Sequence, residues 1–257
     1  WYGLSDPLTE ELIHDRISFR KFLDIKEDDT IPDETTICKF RNALIKNNLL
    51  ESIFLEVKNS MIKNNLILNE GTLVDATLIH SSEPKKRKDE NGKTISNKAN
   101  DEDASYTSKR GRKHHGYKIH IATDTNSIIK EVITTTAKTH DSTQFDTLTK
   151  DETKAVFADS GYMSQERKRT LRSKGIFNGI TERRVRGQSK LRTKQSKNNT
   201  KFSKVRALVE LPFAFIKKLM KYTETKYLGL HKNSQHVFLI AAAYNLRRMP
   251  NLIQRCE

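Results

Sequence analysis

Cysteine is scarce in this chain of 257 residues: Cys38 and Cys256 offer neither metal-ligand spacing nor a disulfide framework, and such usage fits a reducing, cytoplasmic setting. Long hydrophobic runs are missing too. The longest, Val237 to Tyr244, falls far short of the roughly 20 apolar residues that span a bilayer. The N-terminus has no basic-then-apolar signal pattern. Negative charge is in deficit, with 32 Asp and Glu against 47 Lys and Arg, a formal net charge of +15. A chain so charged attracts polyanions, and nucleic acid is the leading partner; a membrane surface is the rival. The first residue is Trp1 rather than Met, which reads as a fragment of a longer frame.

Glycine is also rare before Leu68, and that region reads as helical. Asp6-Pro7 predicts a helix start, with Asp6 as N-cap and Glu10 and Glu11 complementing the dipole. Pro32-Asp33-Glu34 opens a second helix, and a third is expected from about Leu49 to Lys63. Three helices of this size make a small bundle. Lys39, Asn42 and Lys46 on one face would suit a helix-turn-helix DNA reader, and a plain packing module suits the same residues.

The composition changes near Leu66. From Ile67 to Ser82, ILNEGTLVDATLIHSS carries apolar and β-branched residues on both faces of an extended segment, as a strand buried on both sides does. Asp75 sits in its middle, where a carboxylate is costly unless it is paired or holds a metal; a turn, or an Asp bonded to a neighbouring strand, is the plain alternative. Residues 83–115 follow, with few aliphatics and dense charge, and are expected to form a long basic loop. Its basic clusters are Lys85 to Lys88 and Lys109, Arg110, Arg112 and Lys113, solvated surface or phosphate contacts. His114, His115 and His120 lack a Cys or Asp at ligand spacing and make a poor metal site.

Tyr117 to Thr123 and Ile128 to Thr135 read as a hairpin around Asp124-Thr125-Asn126-Ser127. Asp141 opens a helix with Gln144 three residues on. A strand from Lys154 to Ala158 then ends at Asp159, Ser164 caps a helix that Gly175 closes, and a strand covers Ile176 to Ile180. The order predicts a mixed α/β sheet, antiparallel first and parallel later, with Asp159 at the carboxyl end of a parallel strand, where ligands gather. Residues 182–201, with Arg183, Arg184 and Arg186, read as a second basic loop. From Gly229 to Met249 the chain ends in an apolar helix capped by Ser234 and stopped by Pro250.

Between them lies KVRALVELPFAFIKKLMK, Lys204 to Lys221. On a helix, Arg206, Glu210 and Lys217 fall within roughly 40° of one another as one polar stripe. Leu208, Leu211, Phe215 and Leu219 form the face expected to pack on the sheet. An ordinary amphipathic helix with a surface ion pair would look the same. Asp75, Asp159 and Glu210 together make a different case: three converging acids need counter-charge, and oxygen ligands favour Mg²⁺ or Mn²⁺. Two such ions about 4 Å apart serve phosphodiester chemistry, with Arg206 and Lys217 holding phosphates.

VDATLI, ADSGY and the spacing R-x3-E-x6-K at Arg206, Glu210 and Lys217 resemble the signature of bacterial insertion-sequence DDE transposases, most closely the insertion sequence 5 family. SFRKFL at Ser18 to Leu23 and IPDETTICKFRNAL at Ile31 to Leu44 are similar to the N-terminal domain of that family. The resemblance implies an RNase H-like mixed sheet flanked by helices over residues 69–257, preceded by an all-helical DNA-binding or accessory domain over residues 1–68. It further implies Asp75, Asp159 and Glu210 as a triad for two Mg²⁺ or Mn²⁺ ions, double-stranded DNA as element ends and target, and a homodimer on DNA. Two departures bear on function. Ser203 stands where the pattern has tyrosine, and Pro212 is expected to kink the helix and move Lys217 off the stripe. The rival reading is a basic DNA-binding remnant without catalysis.

Overall fold

A computed structural model describes residues 2–68, 70–84, 86–88, 94–96, 101–109, 111–184 and 187–254. Helices come first: α1 (Asp6–Asp15), α2 (Ile17–Leu23), α3 (Glu34–Lys46) and α4 (Leu49–Lys63). Asp33 caps α3, its carboxylate accepting from the Thr36 amide. The cap of α1 is Ser5 rather than Asp6. Asp6 turns instead to Arg41 on α3, in a two-pronged ion pair at 2.5 and 2.6 Å that ties the first helix to the third.

The strands are β1 (Thr72–His80), β2 (Lys86–Lys88), β3 (Thr94–Ser96), β4 (Ser105–Lys109), β5 (Arg112–Thr123), β6 (Ile129–Thr136), β7 (Ala155–Ala158) and β8 (Phe177–Asn178). β2 and β3 form a separate ribbon; the other six make one mixed sheet. Its order runs β6, β5, β1, β7, β8, with β4 joined to the first part of β5. β5 runs antiparallel to β1 and β6, whereas β7 lies parallel to β1 and β8 to β7. The antiparallel half follows from a tight connection. Asp124 accepts from the amides of Leu68 and Ile128 and closes the β5–β6 hairpin. Gly116 holds β5 against β1: its φ is +146°, and a Cβ there would stand 2.1 Å from the Ile79 carbonyl.

The remaining helices are α5 (Phe145–Leu148), α6 (Gln165–Ser173), α7 (Thr193–Arg206), α8 (Glu210–Ala214) and α9 (Leu230–Ile253). Each face of the sheet has its own core. Ile79, Ile119 and Ile121 pack with Phe54 of α4, Phe213 of α8 and Val237 and Ile240 of α9. Val74, Ala122, Val156 and Ala158 pack with Phe145 of α5 and Leu171 of α6. Phe54 thus sits in the core of the sheet, and Met61 packs with Leu66, Ile128 and Leu252, so α4 packs against the sheet body.

Three elements differ from their sequence expectations. The expected loop 83–115 contains β4 and the start of β5, because their register is set by backbone pairing and by buried Asp101 and His115 rather than by aliphatic side chains. The expected loop 182–201 becomes helix from Thr193 onward. Its inner face is polar: Gln195 donates to the Glu182 carboxylate at 2.5 Å and Asn199 to the Glu182 carbonyl at 3.0 Å, so no hydrophobic period marks it. α9 begins at Leu230, not Ser234, since Asp103 accepts from the Leu230 amide at 2.8 Å across the fold. It also runs through Pro250 instead of stopping there.

Candidate active site

Val74 pairs with Ala158 in the parallel register of β1 and β7. The next residues on the two strands are Asp75 and Asp159, which therefore fall in one row and point to one face, the face covered by α7 and α8. β7 ends there: Asp159 caps a short 3₁₀ turn over Ser160–Tyr162, its Oδ1 accepting from the Gly161 amide at 2.6 Å. Arg206, at the end of α7, reaches across to Asp75, its Nη1 donating to Oδ2 at 2.7 Å. The other oxygen of Asp75 accepts from the Ala76 amide at 2.8 Å.

Glu210 opens α8 one turn beyond Arg206 and is exposed. Its charge is felt at Asp75. Burial pushes the Asp75 carboxyl up to about 6; Asp159 and Glu210 push in the same direction, and the Ala76 amide and Arg206 oppose them. Lys217 completes the row. Burial lowers its pKa and nearby Lys109 lowers it further, whereas Glu210 supports the charge. Arg206 and Glu210 are thus electrostatically linked to Asp75, and Lys217 to Glu210.

The helix that carries them is irregular around Pro212. A 3₁₀ turn over Ala207–Val209 precedes α8 and a π turn over Phe215–Leu219 follows it, with helical backbone angles at Arg206, Val209, Glu210, Ala214, Phe215 and Met220. The missing Pro212 amide is absorbed by overwinding before it and underwinding after it, and Lys217 stays within the field of Glu210. The buried face differs from expectation. Val209, Pro212, Phe213 and Ile216 are buried with Phe215, while Leu211 and Leu219 are 46% and 52% exposed. Apolar residues occupy most positions of this run, and the sheet selects the stripe one residue on from the expected one.

The basic residues are distributed unevenly. Lys109, Arg112 and Lys113 are exposed at the turn of the β4–β5 hairpin, where Lys109 pairs with Arg112 and Ser108 with Lys113. That turn lies close enough to Lys217 for Lys109 to perturb it. Arg183 borders the aspartates, its Nε donating to Ser160 Oγ at 3.0 Å. Arg184 turns away to the Ser189 carbonyl. Arg110 and Arg186, like Lys85, lie outside the described residues.

Sequence reasoning passed over Tyr162. It is 1% exposed, its hydroxyl has no hydrogen-bond partner among the described residues, and burial together with Asp141, Asp75 and Asp159 raises it well above the usual phenol range. Its position three residues after Asp159 was the one available signal. His114, His115 and His120 do not converge. His115 and His120 are buried as structural groups, His120 on Thr135 Oγ1 at 2.9 Å, and His114 stacks on His80.

Among the described residues no group of three or more His, Cys, Asp and Glu stands ready to hold a metal ion, and Arg206 supplies the counter-charge at Asp75. The donor chemistry nonetheless suits a hard divalent cation: carboxylates only, mutually repelling, with Asp75 half-buried among them. No helix among the described residues is long and apolar enough to cross a membrane.

A family model described as "Transposase domain (DUF772)" matches residues 1–43. No solved structure matches the chain. A second family model, described as "Transposase DDE domain", matches residues 68–246, from the lead-in to β1 to the C-terminal part of α9 and so across every strand and the Arg206–Lys217 helix. With more than half of its length inside that model, the chain belongs to the transposase DDE-domain family.

Proposed function

We propose that this protein is a DNA transposase of the insertion sequence 5 type that cuts at the ends of its element and joins the freed 3′ ends to target DNA. The observation that carries the reading is the β1–β7 register, which sets Asp75 beside Asp159 on the face where Arg206 and Glu210 lie. The strand order, three antiparallel then two parallel, is the order expected of an RNase H-like core, here residues 69–257 after a helical accessory segment, 1–68.

Asp75, Asp159 and Glu210 are the residues that would hold two Mg²⁺ or Mn²⁺ ions. Such ions activate the attacking oxygen and stabilise the leaving oxygen of a phosphodiester. Asp75 is presented from within β1 and Asp159 from the end of β7, and Glu210 by a helix packed through Val209 and Phe213. Arg206 neutralises Asp75 in the free protein and, with Lys217, presents positive charge beside Glu210 for backbone phosphates. Lys109, Arg112, Lys113 and Arg183 extend that charge along the rim, with Arg110, Arg184 and Arg186 on the same segments. The protein acts as a homodimer on paired ends, on DNA in the bacterial cytoplasm.

The test is Mg²⁺-dependent nicking of a labelled duplex that carries the element's end. The parent chain should nick, and Asp159→Ala or Glu210→Ala should lose nicking by at least about 10³-fold while DNA binding persists. Nicking unchanged in both variants would refute the triad. Binding without any cleavage by the parent would make the chain a DNA-binding remnant.

A further inference from the structure

α7 has two unlike faces. Gln195, Asn199, Phe202 and Arg206, spaced four, three and four, point inward to Glu182, to Phe157 and Phe177, and to Asp75. Lys194, Lys197, Lys201 and Lys204, spaced three, four and three, fall within roughly 80° of one another on the opposite side. All four are exposed, none has an ion-pair or hydrogen-bond partner among the described residues, and α7 contains no Asp or Glu.

Four like charges at helical neighbour spacing weaken a helix by roughly 0.2–0.5 kcal/mol per pair. α7 has little with which to offset that, since none of its residues is fully buried. A polyanion laid along the stripe removes the repulsion. The stripe is about 15 Å long, and a duplex presents one phosphate per roughly 1.7 Å of axis, so every ammonium group has phosphates within reach.

We infer that the outer face of α7 is a second DNA-binding surface, a track for the sugar-phosphate backbone of a duplex segment other than the one lying at Asp75. This rests on the transposase reading only for the identity of the polyanion. The lysine face turns away from the Arg206–Asp75 contact, so the duplex it holds is flanking or target DNA rather than the scissile strand. Lysine suits such a track because it meets phosphate as a mobile point charge without demanding a base sequence.

The experiment is fluorescence-anisotropy titration of the full chain, without metal, with a labelled 40-base-pair duplex of arbitrary sequence over a range of salt concentrations. Replacing all four lysines with glutamine should make the slope of log K against log[salt] shallower by about 0.9 for each phosphate no longer neutralised, roughly 3 to 4 in all. Replacing them with arginine should restore the parental slope. A glutamine variant that melts no lower than the parent yet keeps the parental slope would overturn the proposal, as would an arginine variant as shallow as the glutamine one. Failure of the transposase reading would appear instead in the nicking assay, which this binding experiment does not use.

Discussion

Asp75 and Arg206 form the pair on which stability and function pull in opposite directions. Ionised Asp75 is largely buried, faces two further carboxylates and has one cation beside it. Replacing it with asparagine keeps the shape and an acceptor for Arg206 and removes the repulsion, while its amide group replaces the oxygen that accepts from the Ala76 N–H. Asp75→Asn is therefore expected to raise stability in metal-free buffer at pH 7.5 by about 1–2 kcal/mol in urea unfolding, and to abolish Mg²⁺-dependent nicking. Arg206→Ala should do the reverse to the fold, costing about 2–4 kcal/mol because it strands a buried charge. If both variants lost equal stability, the crowding of acids would not govern this site. Two histidines add to the acid sensitivity, His120 buried and His236 half-buried. His120 faces Thr135, Asp141 and Lys118; His236 faces Tyr222 and Tyr227, with Lys226 and Arg41 nearby, and burial pushes both down to about 4. Folding thus favours their neutral forms. That stability is complete above pH 6.5 and is lost as pH falls toward 4, by up to about 3 kcal/mol for each residue. Stability measured against pH should show this limb, and His120→Gln with His236→Gln should flatten it.

At the scale of elements, α7 is held to the sheet by two amides, one ring and one guanidinium. Phe202 meets Phe157 and Phe177 edge-on, with centroids 6.1 and 5.7 Å apart. Phe202→Ala should therefore release α7 while leaving the rest intact. Brief trypsin treatment is expected to cut selectively between Lys194 and Lys204 in this variant, with a melting temperature only slightly lowered. Cleavage spread evenly over the chain would mean that Phe202 supports the whole core. Gly179 reports on the same cluster from the other side, because a Cβ there would lie 2.3 Å from the Phe157 ring. Gly179→Ala should displace that ring and expose the same tryptic sites. The 3₁₀ and π turns flanking Pro212 are a further element-scale device: they let a proline sit within the helix that links Arg206 to Lys217 without breaking it.

Across the whole molecule, a core lies on each face of the sheet, and α4 reaches the first with Phe54 and a smaller cluster around Ile128 with Met61. α1 to α3 are tied on more lightly, through Arg41 over the Tyr227 ring and the donation of His231 to the Ile45 carbonyl. Part of the excess positive charge lies on the β4–β5 turn, at Arg183 and on the outer face of α7.

Periodicity and position in the sequence were enough for much of this. An acid inside a doubly apolar strand, an acid ending a later strand and Glu210 spaced from Arg206 and Lys217 are local patterns, as are the Asp124 hairpin and the Asp33 cap, because each depends on neighbours within a few residues. What lies between distant segments was decided by the tertiary structure. The β1–β7 register set Asp75 beside Asp159, the sheet chose Val209, Phe213 and Ile216 over Leu211 and Leu219, and Asp103 moved the start of α9. α7 was hidden for the same reason: its inner face is satisfied by amides and one ring from elsewhere in the chain, and contacts of that kind leave no hydrophobic period to read.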